Sequence, residues 1–267
     1  MDRQWEFRYA LPRPPEGGLV ELSPAEAEKL LLKNVAEAKD DPKDAVWELG
    51  RFYASSKQHE KALDCLRQIM VRLPDAERKA ACVLAMGQTM EQVRDYESAI
   101  RYYREALSLE PVRSETWYFI NNNLGYSLNT RGKFEEGEIY CRKAIEIDST
   151  RPNGHKNLGI ALAGQGNFRE AAQCFVTATQ VDASDRRSFD LLTKLLAEHA
   201  ELEFEFGVAV ECCRQAVGVA AGEMEKLKPI VHRGFRKRLF LLRMKLKSWF
   251  RRYARLGRQR DTEQVAR

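Results

Sequence analysis

Apolar residues return at three- and four-residue steps along most of the chain, as in Leu49, Phe52 and Tyr53, then Ala62, Leu66 and Ile69. That step is the period of one helix face. Short polar joints interrupt the runs: Ser55-Ser56-Lys57-Gln58-His59, Gln92-Val93-Arg94-Asp95, Asn129-Thr130-Arg131-Gly132-Lys133 and Gly164-Gln165-Gly166-Asn167. Turn and breaker residues at this interval predict helix–turn–helix units. A glycine marks each unit, at Gly50, Gly87, Gly125 and Gly159. Three residues later stands a bulky residue (Tyr53, Met90, Leu128, Leu162), and twelve later a small one (Ala62, Ala99, Gly137, Ala171). Sixteen later come Leu66, Tyr103, Cys141 and Phe175, and nineteen later Ile69, Ala106, Ala144 and Ala178. Four copies in register define a repeat array. A glycine inside a helix costs about 1 kcal/mol relative to alanine. Close approach of the two helices, with Gly87 facing Ala99 for example, gives its recurrence a packing reason.

The pattern resembles the tetratricopeptide repeat, a helix pair of about 34 residues. The resemblance covers residues 43–185, with units at 43–76, 80–113, 118–151 and 152–185. It implies an all-α, right-handed superhelical solenoid of helix–turn–helix repeats. The last two glycines keep the family period, whereas the earlier gaps are three or four residues longer, one helical turn. Longer first helices in the second and third units, starting near Asp75 and Ser114, account for the excess. Gly137 replaces the usual alanine, and only the first two units close on proline, at Pro74 and Pro111.

Ser23-Pro24-Ala25-Glu26 joins an N-cap serine, a proline at the first helical position and a glutamate three after the cap. It predicts a capping helix within 23–42, running from Pro24 to about Asp40. After the fourth unit, Phe189, Leu192 and Leu196, then Ala209, Cys213 and Ala216, outline a degenerate fifth pair over 186–222. Leu202-Glu203-Phe204-Glu205-Phe206 falls in its joint without an assigned conformation. Each unit buries its apolar face only against neighbours, so four or five pairs suffice for a solenoid.

Stacked pairs present their first helices on an inner wall. The wall positions are Asp44, Trp47, Arg51 and Ala54 in the first unit, and Ala81, Leu84, Gln88 and Glu91 in the second. They are Phe119, Asn122, Tyr126 and Asn129 in the third, and Asn153, Lys156, Ile160 and Ala163 in the fourth. Asn123 and Asn157 recur in matching Asn-Leu-Gly triplets. The family resemblance implies backbone contacts to an extended peptide there. An amide offers two donors and an acceptor, so it grips a peptide group without choosing a sequence. Phe119 and Tyr126 add flat apolar contact, and Lys156 an acidic preference that includes a C-terminal carboxylate. The competing assignment has Asn123 and Asn157 bonding neighbouring turns. Trp47, Arg51, Leu84 and Gln88 do not reproduce the lysine, arginine and asparagine set with which chaperone-binding members clamp a carboxylate.

Charge divides the chain. Residues 226–267 hold 15 basic and 2 acidic side chains, against 29 and 37 in the remainder. Such asymmetry marks an interaction tail. Phe235, Leu239, Leu242, Leu246, Trp249, Tyr253 and Leu256 follow a helical step, which predicts a long basic amphipathic helix from about Ile230 to Leu256 within 223–267. Four roles stay open: capping the solenoid, lying on an anionic membrane, self-association or pairing along the seam, and contacting nucleic-acid phosphates. The basic contacts for an anionic partner are Arg236, Lys237, Arg238, Arg243, Lys245, Lys247, Arg251, Arg252 and Arg255. The 1–22 arm alternates Trp5, Phe7 and Tyr9 before a Pro- and Gly-rich break; it either packs on the repeats or docks elsewhere.

The six cysteines lack metal or redox spacing and read as buried hydrophobes in a reducing compartment. The four histidines are scattered, and no phosphate loop or nucleophile motif occurs. No cofactor, metal site or enzymatic activity is expected. No secretory signal or uncharged apolar run of spanning length is found. The expectation is a cytoplasmic, non-enzymatic adaptor, membrane-peripheral if the tail binds lipid.

Overall fold

The computed structural model describes residues 23–38 and 43–227. The aromatic arm and the basic helix expected over 230–256, with its nine candidate contacts, lie outside the described residues. Eleven α-helices and one 3₁₀ turn make up the described chain, with no strand among them. They fall into two compact units that divide between Ser127 and Leu128.

Helix α1, Pro24–Glu37, begins with the expected reciprocal cap: the Glu26 amide donates to the Ser23 hydroxyl and the Ser23 amide to the Glu26 carboxylate. It ends at Ala38, slightly before Asp40. The pairs follow as α2, Lys43–Ser55, with α3, His59–Met70, and α4, Ala76–Gln92, with α5, Tyr96–Ser108. Next come α6, Ser114–Thr130, with α7, Phe134–Ile147, and α8, Pro152–Gly164, with α9, Phe168–Val181. Helices α4 and α6 have 17 residues where α2 and α8 have 13, so each long glycine spacing holds an extra turn. The last pair is α10, Arg186–Glu198, and the 25-residue α11, Glu203–Leu227, joined by the 3₁₀ turn Ala200–Leu202. Phe206 turns into the core while Phe204 is wholly exposed, which places the joint segment at the start of α11.

One turn geometry closes all four first helices. Lys57, Arg94, Gly132 and Gly166, each seven residues after the repeat glycine, have left-handed φ of 60°, 64°, 74° and 84°. The next residue in each turn donates its amide back to a carbonyl five residues earlier. These bonds are Gln58 to Tyr53 at 2.8 Å, Asp95 to Met90 at 3.0 Å, Lys133 to Leu128 at 3.0 Å and Asn167 to Leu162 at 2.8 Å. This Schellman closure satisfies helix-end carbonyls and reverses the chain in a few residues.

The repeat positions are the core. Tyr103, Cys141, Ala99, Ala106, Ala144, Ala171 and Ala178 are fully buried. In the first unit, Ala27 and Leu31 of α1 share a cluster with Leu49, Phe52, Leu66 and Met86. In the second, Phe175 and Leu162 share one with Leu192, Cys213 and Ala216 of the fifth pair.

The glycine rationale needs one correction. A Cβ on Gly87 would lie 2.4 Å from the Tyr103 ring, and one on Gly159 2.6 Å from the Phe175 ring. The space therefore admits the aromatic ring sixteen residues on, rather than the Ala99 backbone. At Gly50, whose partner position holds Leu66, Cys65 at 3.1 Å and the Ala62 carbonyl at 3.7 Å are the nearest neighbours.

Candidate peptide-binding surface

Helix α6 carries the surface in the first unit. Between Tyr118 and Asn129 only Phe119, Asn123 and Tyr126 keep appreciable exposure. Steps of four and three put them on one stripe. Core packing and local chain closure hide the rest of this stretch, so the sequence presents an aromatic–amide–aromatic strip on a rigid helix. Phe119 packs edge-on against Tyr118 with ring centroids 5.5 Å apart, and Tyr126 against Tyr96 of α5 at 6.1 Å.

A polar relay lies behind the strip. The buried Asn122 donates its side-chain amide to the Asn123 oxygen at 3.0 Å. Asn123 is hydrogen-bonded to the Tyr103 phenol, which donates to the Glu91 carboxylate at 2.8 Å. Burial pushes the Tyr103 hydroxyl well above its ordinary range, and the neighbouring Glu91 adds to this. Burial likewise pushes Glu91 up to about 7, against the opposing effect of the Tyr103 hydrogen bond. Helices α4, α5 and α6 are thus joined by groups that the sequence assigns to separate roles. The first unit also sets α6 in place through Glu77 of α4, which accepts from the Arg113 amide at 2.9 Å and from the Thr116 hydroxyl.

The second unit uses its amides differently. Asn129 is buried and donates to the Asn157 carbonyl at 2.8 Å, tying the end of α6 to α8. Asn157 is itself 4% exposed. Asn153 lies on the surface and accepts from the Lys156 ammonium at 2.7 Å. Lys156 is 8% exposed, and its charge meets Asp185, the N-cap of α10, at 3.2 Å. Arg187 pairs with the same carboxylate at 2.8 Å. Burial would raise Asp185, but the Arg187 hydrogen bond and the Lys156 charge outweigh it and hold the group well below the usual carboxylate range. The carboxylate expected of a Lys156 ligand is here supplied by the chain itself.

The thiols are inert packing groups. Burial pushes Cys82, Cys141 and Cys213 up to about 12. Among the described residues no cluster of three or more His, Cys, Asp and Glu is arranged to hold a metal ion. No described helix is long and apolar enough to cross a membrane.

Comparison with known proteins bears on these repeats. The family profile described as tetratricopeptide repeat matches residues 84–152, which include the second and third glycines with their turns. The chain carries tetratricopeptide repeats. Human tetratricopeptide repeat protein 7B is 32% identical over 98 residues, covering 37% of this repeat protein and 11% of the relative. The Hsp70-Hsp90 organising protein of Plasmodium falciparum is 24% identical over 130 residues, covering 49% and 48%. The repeat protein thus matches only a minor part of the first relative and about half of the second. In fold it is similar to the crystal structure of BtubC from P. vanneervenii, with a TM-score of 0.63 at 16% identity over 77% of this chain and 93% of that one.

Sequence reasoning assigned Glu91 to the wall and Tyr103 to packing and missed their hydrogen bond. Their fixed places, four and twelve-plus-four residues after Gly87, are the only signal that could have paired them.

Proposed function

We propose that this chain is a non-catalytic protein-interaction adaptor that holds an extended segment of a partner protein on the first helices of its repeats. The observation that carries this reading is the half-exposed strip Phe119, Asn123 and Tyr126 on an otherwise buried stretch of α6. An extended chain alternates side chains with peptide groups. The aromatics take the side chains and Asn123 the backbone, with Asn122 fixing the orientation of that amide. In the second unit Asn153 is the exposed amide, while Asn129, Lys156 and Asn157 support α8 from within.

The relatives support a binding role in general terms: one is named for organising Hsp70 and Hsp90. A chaperone tail is not the proposed ligand, because Lys156 already has Asp185 and the first two units lack the clamp residues.

The test compares the full chain with a Phe119→Ala, Tyr126→Ala double variant in a quantitative pull-down from lysate. Neither side chain is fully buried, so the variant is expected to keep its helicity. A partner retained by the native chain and lost from the variant supports the reading. Identical captures refute it. A second reading places the binding on the basic residues between 226 and 260, where fourteen lysines and arginines occur without one acid. It predicts capture of anionic lipid or nucleic acid with steep salt dependence, untouched by the double variant.

A further inference from the structure

Two largely enclosed charges lie near the proposed surface helices, and they are treated differently. Lys156 has Asp185 at 3.2 Å. Among the described residues Glu91 pairs with no cation: its hydrogen-bond partner is the neutral Tyr103 phenol, which engages Oε2.

The placement is unfavourable in three separate ways. Enclosure strips the carboxylate of water, and a single phenol replaces only part of the lost solvation. Glu91 stands in the last turn of α4, where the helix end itself is electronegative. The relay through Asn122, Asn123 and Tyr103 directs its donors toward this group yet leaves Oε1 without a bonded partner among the described residues. Glu91 nevertheless keeps part of its surface exposed. Tyr126, a member of the strip, lies close enough to Tyr103 to act on the same phenol, edge-on to Tyr96. A carboxylate held by one phenol, reachable and short of a cation among the described residues, has the chemistry of a site for an ammonium or guanidinium group.

We propose that Glu91, oriented by Tyr103, binds a lysine or arginine side chain of the peptide that lies on α6. This rests on the peptide-binding reading above and assigns it a ligand class. The cation offsets the desolvated charge, and the phenol keeps the carboxylate oriented toward it. Solvent exclusion strengthens the pair beyond a surface ion pair. The free chain therefore holds Glu91 partly protonated near neutral pH, and binding a cation favours its ionised form.

The test uses fluorescence anisotropy on the full chain with short peptides of uncharged background, each carrying one central Lys, Gln or Glu. The Lys peptides are expected to bind at least about fivefold tighter than the Gln peptides. That advantage should shrink as pH is lowered from 8 to 6. Glu91→Gln still accepts the Tyr103 hydrogen bond, so it should abolish the advantage while leaving Gln-peptide binding and the melting temperature unlowered. A Lys advantage that survives in Glu91→Gln overturns the assignment. Peptides that bind with no Lys advantage overturn it while leaving the α6 strip as the binding surface. If no peptide is held at all, the strip reading falls as well. The chain's own basic residues carry the same chemistry, so a full chain with Arg236, Lys237 and Arg238 changed to Gln separates the sources. Tighter peptide binding by that variant shows the chain's own cations occupying Glu91 and overturns the assignment to a partner, whereas unchanged binding supports it.

Discussion

The Tyr103 ring occupies the space in which a side chain at Gly87 would stand, with ring carbons 2.4 and 2.7 Å from the position of a Cβ. The ring cannot retreat cheaply, because it is fully buried and its hydroxyl is bonded to Glu91 at 2.8 Å. Gly87→Ala should lower stability by about 2 kcal/mol, overpacking outweighing the gain in helix propensity. Gly159→Ala meets the Phe175 ring, which has no such tether, and should cost less. Gly50→Ala meets Cys65 at 3.1 Å and should be nearly neutral. Urea melts of the three variants check the order.

The shared turn makes a second prediction. Lys57 and Arg94 hold left-handed φ of 60° and 64°, where Gly132 and Gly166 stand in the later repeats. Lys57→Gly and Arg94→Gly should each stabilise the chain by about 0.5–1 kcal/mol, since a side chain is strained in that conformation. Gly132→Ala and Gly166→Ala should destabilise by about 1 kcal/mol. Neither glycine has an atom within 4 Å of a built Cβ, so crowding does not confuse the comparison.

Glu91 makes stability depend on pH. Its pKa rises from the ordinary 4.5 to about 7 in the folded chain. Between those values the folded state holds the extra proton, so stability falls as pH rises through this window. The contribution is complete below pH 4.5 and lost above 7. Relative to Glu91→Gln, the native chain should lose on the order of 2 kcal/mol between pH 5 and pH 8. Chemical melts of both proteins at the two pH values measure it.

The Lys156–Asp185 pair works in the opposite direction. Asp185 is held below the usual carboxylate range, so its contribution is present above its unfolded value and lost as pH falls through the folded one. Asp185→Asn removes the nearest counter-charge of the enclosed Lys156 ammonium, leaving the Asp182 charge and neutral acceptors, and should cost about 3 kcal/mol. Lys156→Met should cost less, because Arg187 remains on Asp185. Thermal melts at neutral pH distinguish the two.

Much of the fold was legible because the repeated positions pack on the core: Tyr53, Leu128 and Leu162 at one offset, Leu66, Tyr103 and Phe175 at another, are buried as the spacing implies, while Met90 is half-buried. The extra turns of α4 and α6 followed from the distance between glycines. The common turn was harder to see, since Lys57 and Arg94 disguise a conformation that Gly132 and Gly166 announce. The site was less legible still. Position assigns a residue to a helix face but not its rotamer or its partner. The sequence therefore identified Lys156 as a cation without revealing Asp185, 29 residues on, as its counter-charge. It likewise separated Glu91 from Tyr103, whose bond follows from the ring's descent beside Gly87.

The most direct test of the central claim is site-specific photo-crosslinking from position 119 in the full chain, with a photoreactive phenylalanine in place of Phe119. Val112, exposed in the loop before α6, serves as the control position. The account predicts a discrete crosslinked protein from position 119, absent from position 112 and competed by an excess of unlabelled full chain. The same products from both positions, or none from 119 when lysate is in excess, would contradict the assignment of α6 as the binding surface.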